Sequence, residues 1–227
     1  MEAEFKFLEI SIPSADVRAS LEWYRALGFT ELATGDIRNY HYAVVSDGEL
    51  CLGLHAEGLT QAGLTFVRQE LATYVRRAQS SGVEFDTARL GVDDFHEAIR
   101  HDPVGNPVVL IEARTFSSAH TSDPVIVGTL NHIALPCMNV DASLTFWEQY
   151  GFISVQADSG EPAELHAPGL TLQLQNGIRE LGLHFHNNKL AATLEALSLQ
   201  GIDARQTPDG LELRAPEGTR LIMESSS

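Results

Sequence analysis

Residues 130–152 read LNHIALPCMNVDASLTFWEQYGF. A short apolar run carries one histidine, His132. Val140, Leu144 and Trp147 follow at helical spacing, and Gly151-Phe152 closes the stretch. The run predicts a buried strand, the spacing an amphipathic helix, and the glycine its stop. The same order occurs at 15–29, ADVRASLEWYRALGF. There Val17, Ala19, Ser20, Leu21, Gly28 and Phe29 match Val140, Ala142, Ser143, Leu144, Gly151 and Phe152 at an offset of 123.

Two further matches keep the order. LTFVRQELATYVRRAQSSGVEF (64–85) shares Leu64, Phe66, Leu71, Ala72 and Gly82 with Leu183, Phe185, Leu190, Ala191 and Gly201, at an offset of 119. DPVGNPVVLI (102–111) pairs with APEGTRLIME (215–224) at an offset of 113. Ordered matches with a slowly shrinking offset mean a duplicated unit with loops trimmed in the second copy. The joint, RTFSSAHTSDPVIV (114–127), has linker composition. Two domains are expected, 1–114 and 127–227, with a linker over 115–126.

Each domain halves again. FLEISIP and AGLTFVR both open a strand–helix pair. Hairpins are predicted around Asp47-Gly48 and around Pro103–Asn106. The repeating unit is βαβββ, and four copies make the chain. One unit cannot bury its sheet alone, whereas paired units curl into a cup walled by strands, a natural small-molecule site. The expected class is α+β: tandem paired βαβββ modules forming two curved-sheet cups. The aromatic pairs Trp23-Tyr24 and Phe146-Trp147 are expected in the core.

The formal net charge is −16 over 227 residues. Such a surface repels phosphate backbones and anionic lipid, so neither nucleic acid nor membrane is an expected partner. Cys51 and Cys137 sit in apolar runs and suit free thiols in a reducing compartment. The N-terminus lacks the pattern of a signal peptide, and no run reaches the roughly 18 apolar residues of a membrane helix. The cytoplasm is the expected location. Whether the chain is a monomer or a homodimer stays open.

EISIPSADVRASLEWYRALGF, NHIALPCMNVDASLTFWEQYGF and HDPVGNPVVLIEA together resemble the vicinal oxygen chelate superfamily. That superfamily includes glyoxalase I, fosfomycin- and bleomycin-resistance proteins and extradiol dioxygenases. The first two stretches resemble its opening strand, Ser-Leu-aromatic helix and Leu-Gly-Phe; the third resembles its closing turn and strand. The resemblance implies a divalent metal in catalytic members. It places the opening ligand at Glu9 and His132, the next at Gly63 and Gly182, and the closing one at Val109 and Ile222. A further position falls near Gly53 and Gln173. Glycine, valine and isoleucine offer no ligand atom, so the usual triad is broken in both domains.

A polar set remains. Strand alternation puts Gly182, His184 and His186 on one face, Ile222 and Glu224 on one face, and Gln173 and Gln175 on one face. Glu9 and His132 are the catalytic candidates. Gln173, Gln175, His184, His186, His41 and His55 are the ligand-binding candidates. Glu9 is read as either a general base or one half of a structural ion pair. The expected function is binding of a small organic molecule in a cup, as a binding protein or a metal-independent enzyme without the usual metal triad and with no cofactor. The alternative is a lyase or ring-cleaving dioxygenase. It would hold Fe, Zn, Ni or Mn at a rearranged site of His132, His184 and Glu224. Whether the modules pair within or across the domains is left open.

Overall fold

The computed structural model describes residues 5–35, 38–117, 125–155 and 162–225. Most of the joint at 115–126, with His120, lies outside them. The first half runs β1 (Lys6–Pro13), α1 (Val17–Ala26), β2 (Thr30–Leu32), β3 (Tyr42–Ser46), β4 (Cys51–His55), β5 (Gly63–Val67), α2 (Leu71–Ser80), β6 (Thr87–Arg89), β7 (Glu97–His101) and β8 (Pro107–Ile111). The second half repeats it as β9 (Thr129–Pro136), α3 (Val140–Glu148), β10 (Ile153–Val155), β11 (Ala163–Ala167), β12 (Leu170–Gln175), β13 (Gly182–His186), α4 (Leu190–Leu199), β14 (Arg205–Thr207), β15 (Gly210–Arg214) and β16 (Arg220–Glu224). This is the α+β arrangement of four βαβββ modules.

Local chemistry sets the helix ends. Asp16 and Asn139 cap α1 and α3 by accepting from the amides of Ala19 and Ala142. Gly28 and Gly151 stop the same helices at φ 95° and 87°, a left-handed conformation that glycine adopts without strain. Tyr24, Phe146 and Trp147 are buried, and Trp23 is half-buried. Val140 departs from the expectation: it lies in the first turn of α3, before the helix meets the sheet, and is 43% exposed.

Each half closes one eight-stranded sheet, in the orders β2-β3-β4-β1-β5-β8-β7-β6 and β10-β11-β12-β9-β13-β16-β15-β14. The modules meet where β1 pairs antiparallel with β5 and β9 with β13. They therefore pair within each half, and His132 faces His184 rather than any residue of the first half.

One face of each sheet packs on helices. Leu64, Phe66, Ile133, Leu172 and Leu183, all 1% exposed or less, join a single core that runs through both halves. Across it, Tyr150 lies 5.0 Å from Phe5 and 5.4 Å from Phe66, ring centre to ring centre. The other face of each sheet is the inner wall of a cup. Among the described residues, no helix is long and apolar enough to cross a membrane.

Candidate functional site

The two cups differ. The inner face of the first sheet carries its own apolar cluster: Leu8, Leu32, Tyr42, Val44, Val109, Ile111 and Phe116. Phe116 is contributed by the segment that follows β8, and the cluster fills the cup. Within the filling, Glu9 is 1% exposed. Its Oε1 accepts from Ser11 Oγ (2.9 Å) and lies 3.0 Å from His55 Nε2; its Oε2 accepts from the Tyr42 hydroxyl (2.6 Å). His55 Nδ1 lies 3.0 Å from the Tyr40 hydroxyl. Burial, then the neighbouring Glu9, pushes the Tyr42 hydroxyl far above its ordinary range, so it remains a donor. The carboxyl group lies across Gly53, where a Cβ would overlap it. Beside this network Arg38 pairs with Glu97, both buried. The cavity between them has room for about one water molecule.

Glu9 and His55 are thus brought together, as partners of each other. His41 is not with them. Tyr40, His41 and Tyr42 alternate in direction, the two tyrosines turn inward, and His41 is exposed. The expectation that His41 lines the first cup is corrected by that parity.

The second cup keeps polar groups on its inner face. His132 and His184 are opposite one another on β9 and β13, with rings stacked at 4.3 Å and 19°. His132 is 6% exposed, and its Nε2 is buried without a hydrogen-bond partner. Burial, then the neighbouring His184, pulls the His132 pKa down to about 4; burial, then Arg220, does the same to His184. His184 Nδ1 lies 3.2 Å from Glu224 Oε1. His186 shares the half-buried inner face, level with Glu224. Gln175 donates to Gln173 (2.5 Å), which donates to Glu164 (3.4 Å).

The register extends this face to residues that sequence reading did not single out. Arg220 is level with Gly182, Ala134 and Gln173 in one row across four strands. On β15, Glu212 and Arg214 face the same way, and Glu212 pairs with both Arg220 (2.7 Å) and Arg205. Burial raises the Glu212 carboxyl's pKa, but the two arginines outweigh it and hold the group below its usual range. The signal was alternation in GLELR and RLIME, legible only once the pairing of those strands is known.

The metal positions of the resemblance do not fit a metal. Val109 and Ile222 are apolar, Gly63 and Gly182 have no ligand atom, and Glu9 is occupied by three donors. Over Gly182, Ile222 Cδ1 and His184 Nε2 lie 3.2 and 3.7 Å from where a Cβ would stand. The rearranged set of His132, His184 and Glu224 does not converge either. Among the described residues no three His, Cys, Asp or Glu side chains are arranged to hold a metal ion.

No protein-family model matches the chain, and no curated protein sequence matches it. Solved structures do. A catechol 2,3-dioxygenase matches with TM-score 0.61 and 14% identity over 98% of this chain and 93% of its own. The Mn(II)-bound glyoxalase from Novosphingobium aromaticivorans matches with TM-score 0.66 and 13% identity over 97% and 81%. Homoprotocatechuate 2,3-dioxygenase from Arthrobacter globiformis matches with TM-score 0.63 and 14% identity over 97% and 79%. With two sheets of paired βαβββ modules throughout, this chain has the fold of the vicinal oxygen chelate superfamily.

Proposed function

We propose that the protein binds a small organic molecule in the second cup, as a binding protein or a metal-independent enzyme. One observation carries the reading. Gly63, Val109, Gly182 and Ile222, at two of the superfamily's ligand positions in each half, have no metal-binding atoms, yet the second cup keeps a polar inner face while the first is filled. Gln173, Gln175, His184 and His186 are the contacts, and His132, with an unpartnered nitrogen at the floor, is the group a ligand hydroxyl or N–H would meet. Neutral at pH 7, His132 can accept such a proton donor. Glu9 and His55 then serve the first half as a scaffold rather than as chemistry.

The test is a thermal-shift screen of small metabolites and antibiotics with chelator present. Hits should raise the melting temperature of the wild type and lose that effect in His132→Ala. Hits that His132→Ala and Gln173→Ala both leave untouched would count against the second cup.

The unpartnered Nε2 of His132 also supports a second reading, a divalent metal held through His132 in a lyase or ring-cleaving dioxygenase. Elemental analysis of untagged protein, incubated with Fe(II), Zn, Ni or Mn and desalted, separates the two. Near one equivalent, lost in His132→Ala, would favour the metal reading; background levels would remove it.

A further inference from the structure

The chain has 15 Lys and Arg against 31 Asp and Glu, so positive charge is scarce. Four of those arginines line one groove at the edge of the second cup: Arg179, Arg205, Arg214 and Arg220. Their carboxylate partners are fewer. Arg214 is paired with Glu180 at 2.9 Å, and Glu212 is shared between Arg205 and Arg220. Asp203 also lines the groove but is exposed. Arg179 is exposed and has no hydrogen-bond or ion-pair partner among the described residues. Two guanidinium groups on one carboxylate, with a third unpaired, leave the groove locally positive on a strongly negative molecule.

The duplication supplies an internal control. At the offset of 113, Arg220 corresponds to Pro107, Arg214 to His101 and Glu212 to Ile99. In the first copy that wall closes against the apolar filling of its cup. The βαβββ fold therefore does not require arginines there. Arg220 has only 26% of its side chain exposed and stands on the inner face, level with Gly182 and Ala134. Gly182 and Ala134, both buried, with Ile222 and His184 covering Gly182, stand in the row between Arg220 on one side and Gln173 on the other. Three strand spacings separate those two Cα positions, roughly 14 Å, the scale of a bicyclic ring system.

We infer that the ligand of the second cup is an organic anion, its carboxylate, sulfonate or phosphate seated at Arg220 and its body lying over the Ile222 and His184 side chains that cover Gly182, towards Gln173. The inference rests on the proposed use of that cup and adds the charge class of what binds. Arg220 approaches from the β16 side with guanidinium donors still free, a geometry suited to oxyanions. Glu164 and Glu224 do not oppose it at that point. Glu224 lies four residues along β16, about 13 Å away, and is turned to His184. Glu164 is turned to Gln173 and His166.

Two fluorescent probes test this, 8-anilinonaphthalene-1-sulfonate and N-phenyl-1-naphthylamine. They share one body and differ in the sulfonate. The net charge of −16 disfavours the anion everywhere except at a local basic site. The expected result is tighter binding of the sulfonate, by about tenfold at low salt. Arg220→Gln should abolish that advantage and leave the neutral probe unchanged, since Glu212 keeps Arg205. Added salt should shrink it. Gln173→Trp, at a half-buried position on the inner face, should weaken both probes by obstructing the cup. Equal binding of the two probes, no binding of either, or an advantage that survives Arg220→Gln would overturn the inference. If Gln173→Trp still weakens the neutral probe in such a case, the cup reading stands and only the anion is lost. If Gln173→Trp changes neither probe, the cup reading falls too.

Discussion

Glu9 and His132 occupy the same position in the two copies and have opposite surroundings. Three donors reach the Glu9 carboxylate inside a filled cup, while His132 keeps a nitrogen with no partner. Removing the charge from Glu9 leaves donors aimed at a weaker acceptor. Glu9→Gln should cost about 2–4 kcal/mol in urea denaturation, whereas Glu22→Gln, on the exposed face of α1, should cost under about 1. A cost for Glu9→Gln as small as that of Glu22→Gln would contradict the network. For His132 the sign is fixed by linkage. Its folded pKa of about 4 lies below the ordinary value near 6.5, so the unfolded chain binds a proton the folded one does not. Stability is then complete above about pH 6.5 and falls towards pH 4, by up to about 3 kcal/mol from this group. His132→Phe, which keeps a ring against His184, should make the pH dependence over that window shallower, with His184 still contributing to it. Parallel slopes in wild type and variant would refute it. Both positions were legible in the sequence as inward-facing. His184 was grouped with His132 from strand alternation, as a fellow ligand rather than a stacked neighbour; the Glu9 partners Tyr42 and His55 were not legible, because they reach it across strand pairings.

At the scale of elements, the closing turns do more than end their modules. The turn before β16 carries Glu217, which accepts from Ser20 Oγ at 2.7 Å and the Tyr24 hydroxyl at 2.9 Å, both on α1 of the other half. Burial, then Glu217, pushes the Tyr24 hydroxyl well above its ordinary range and keeps it donating. The turn before β8 reciprocates: Asn106 donates to the Pro136 carbonyl at the end of β9. Glu217→Ala removes the acceptor of two buried hydroxyls, of which Ser20 Oγ keeps Ser14 Oγ at 2.9 Å, and should lower stability by about 1–2 kcal/mol. Double-mutant cycles with Tyr24→Phe should show coupling of about 1 kcal/mol. Additive effects would mean the contact carries no energy. The helices themselves were legible from caps, glycine stops and apolar spacing. The clasp was not, since residues about 195 apart in sequence share no local signal.

For the whole molecule, the decisive feature is one core through both halves. Phe5 and Phe66 of the first half pack on Tyr150, and Phe66 also meets Phe152 at 6.3 Å. The Arg100 guanidinium lies 4.6 Å from the Phe146 ring centre across the same junction. Halves joined this way should unfold together. Calorimetry is expected to give one transition with matching calorimetric and van't Hoff enthalpies. Tyr150→Ala, which opens the junction, should cost about 3–5 kcal/mol. Two resolved transitions in the wild type would show that each half is stable alone.

The sequence by itself determined the module, its fourfold repetition and the class of fold, because periodicity, caps and turns act over a few residues and the duplication is written in ordered matches. It also determined that the usual metal triad is broken in both halves, since Gly63, Val109, Gly182 and Ile222 can be read directly. Only the tertiary structure decided which modules pair, which cup is filled and which stays polar, and that Arg220 and Arg205 share Glu212 beside the second cup. Those outcomes depend on strand register, where a shift of one residue turns every side chain to the opposite face. Contacts between residues distant in sequence set that register.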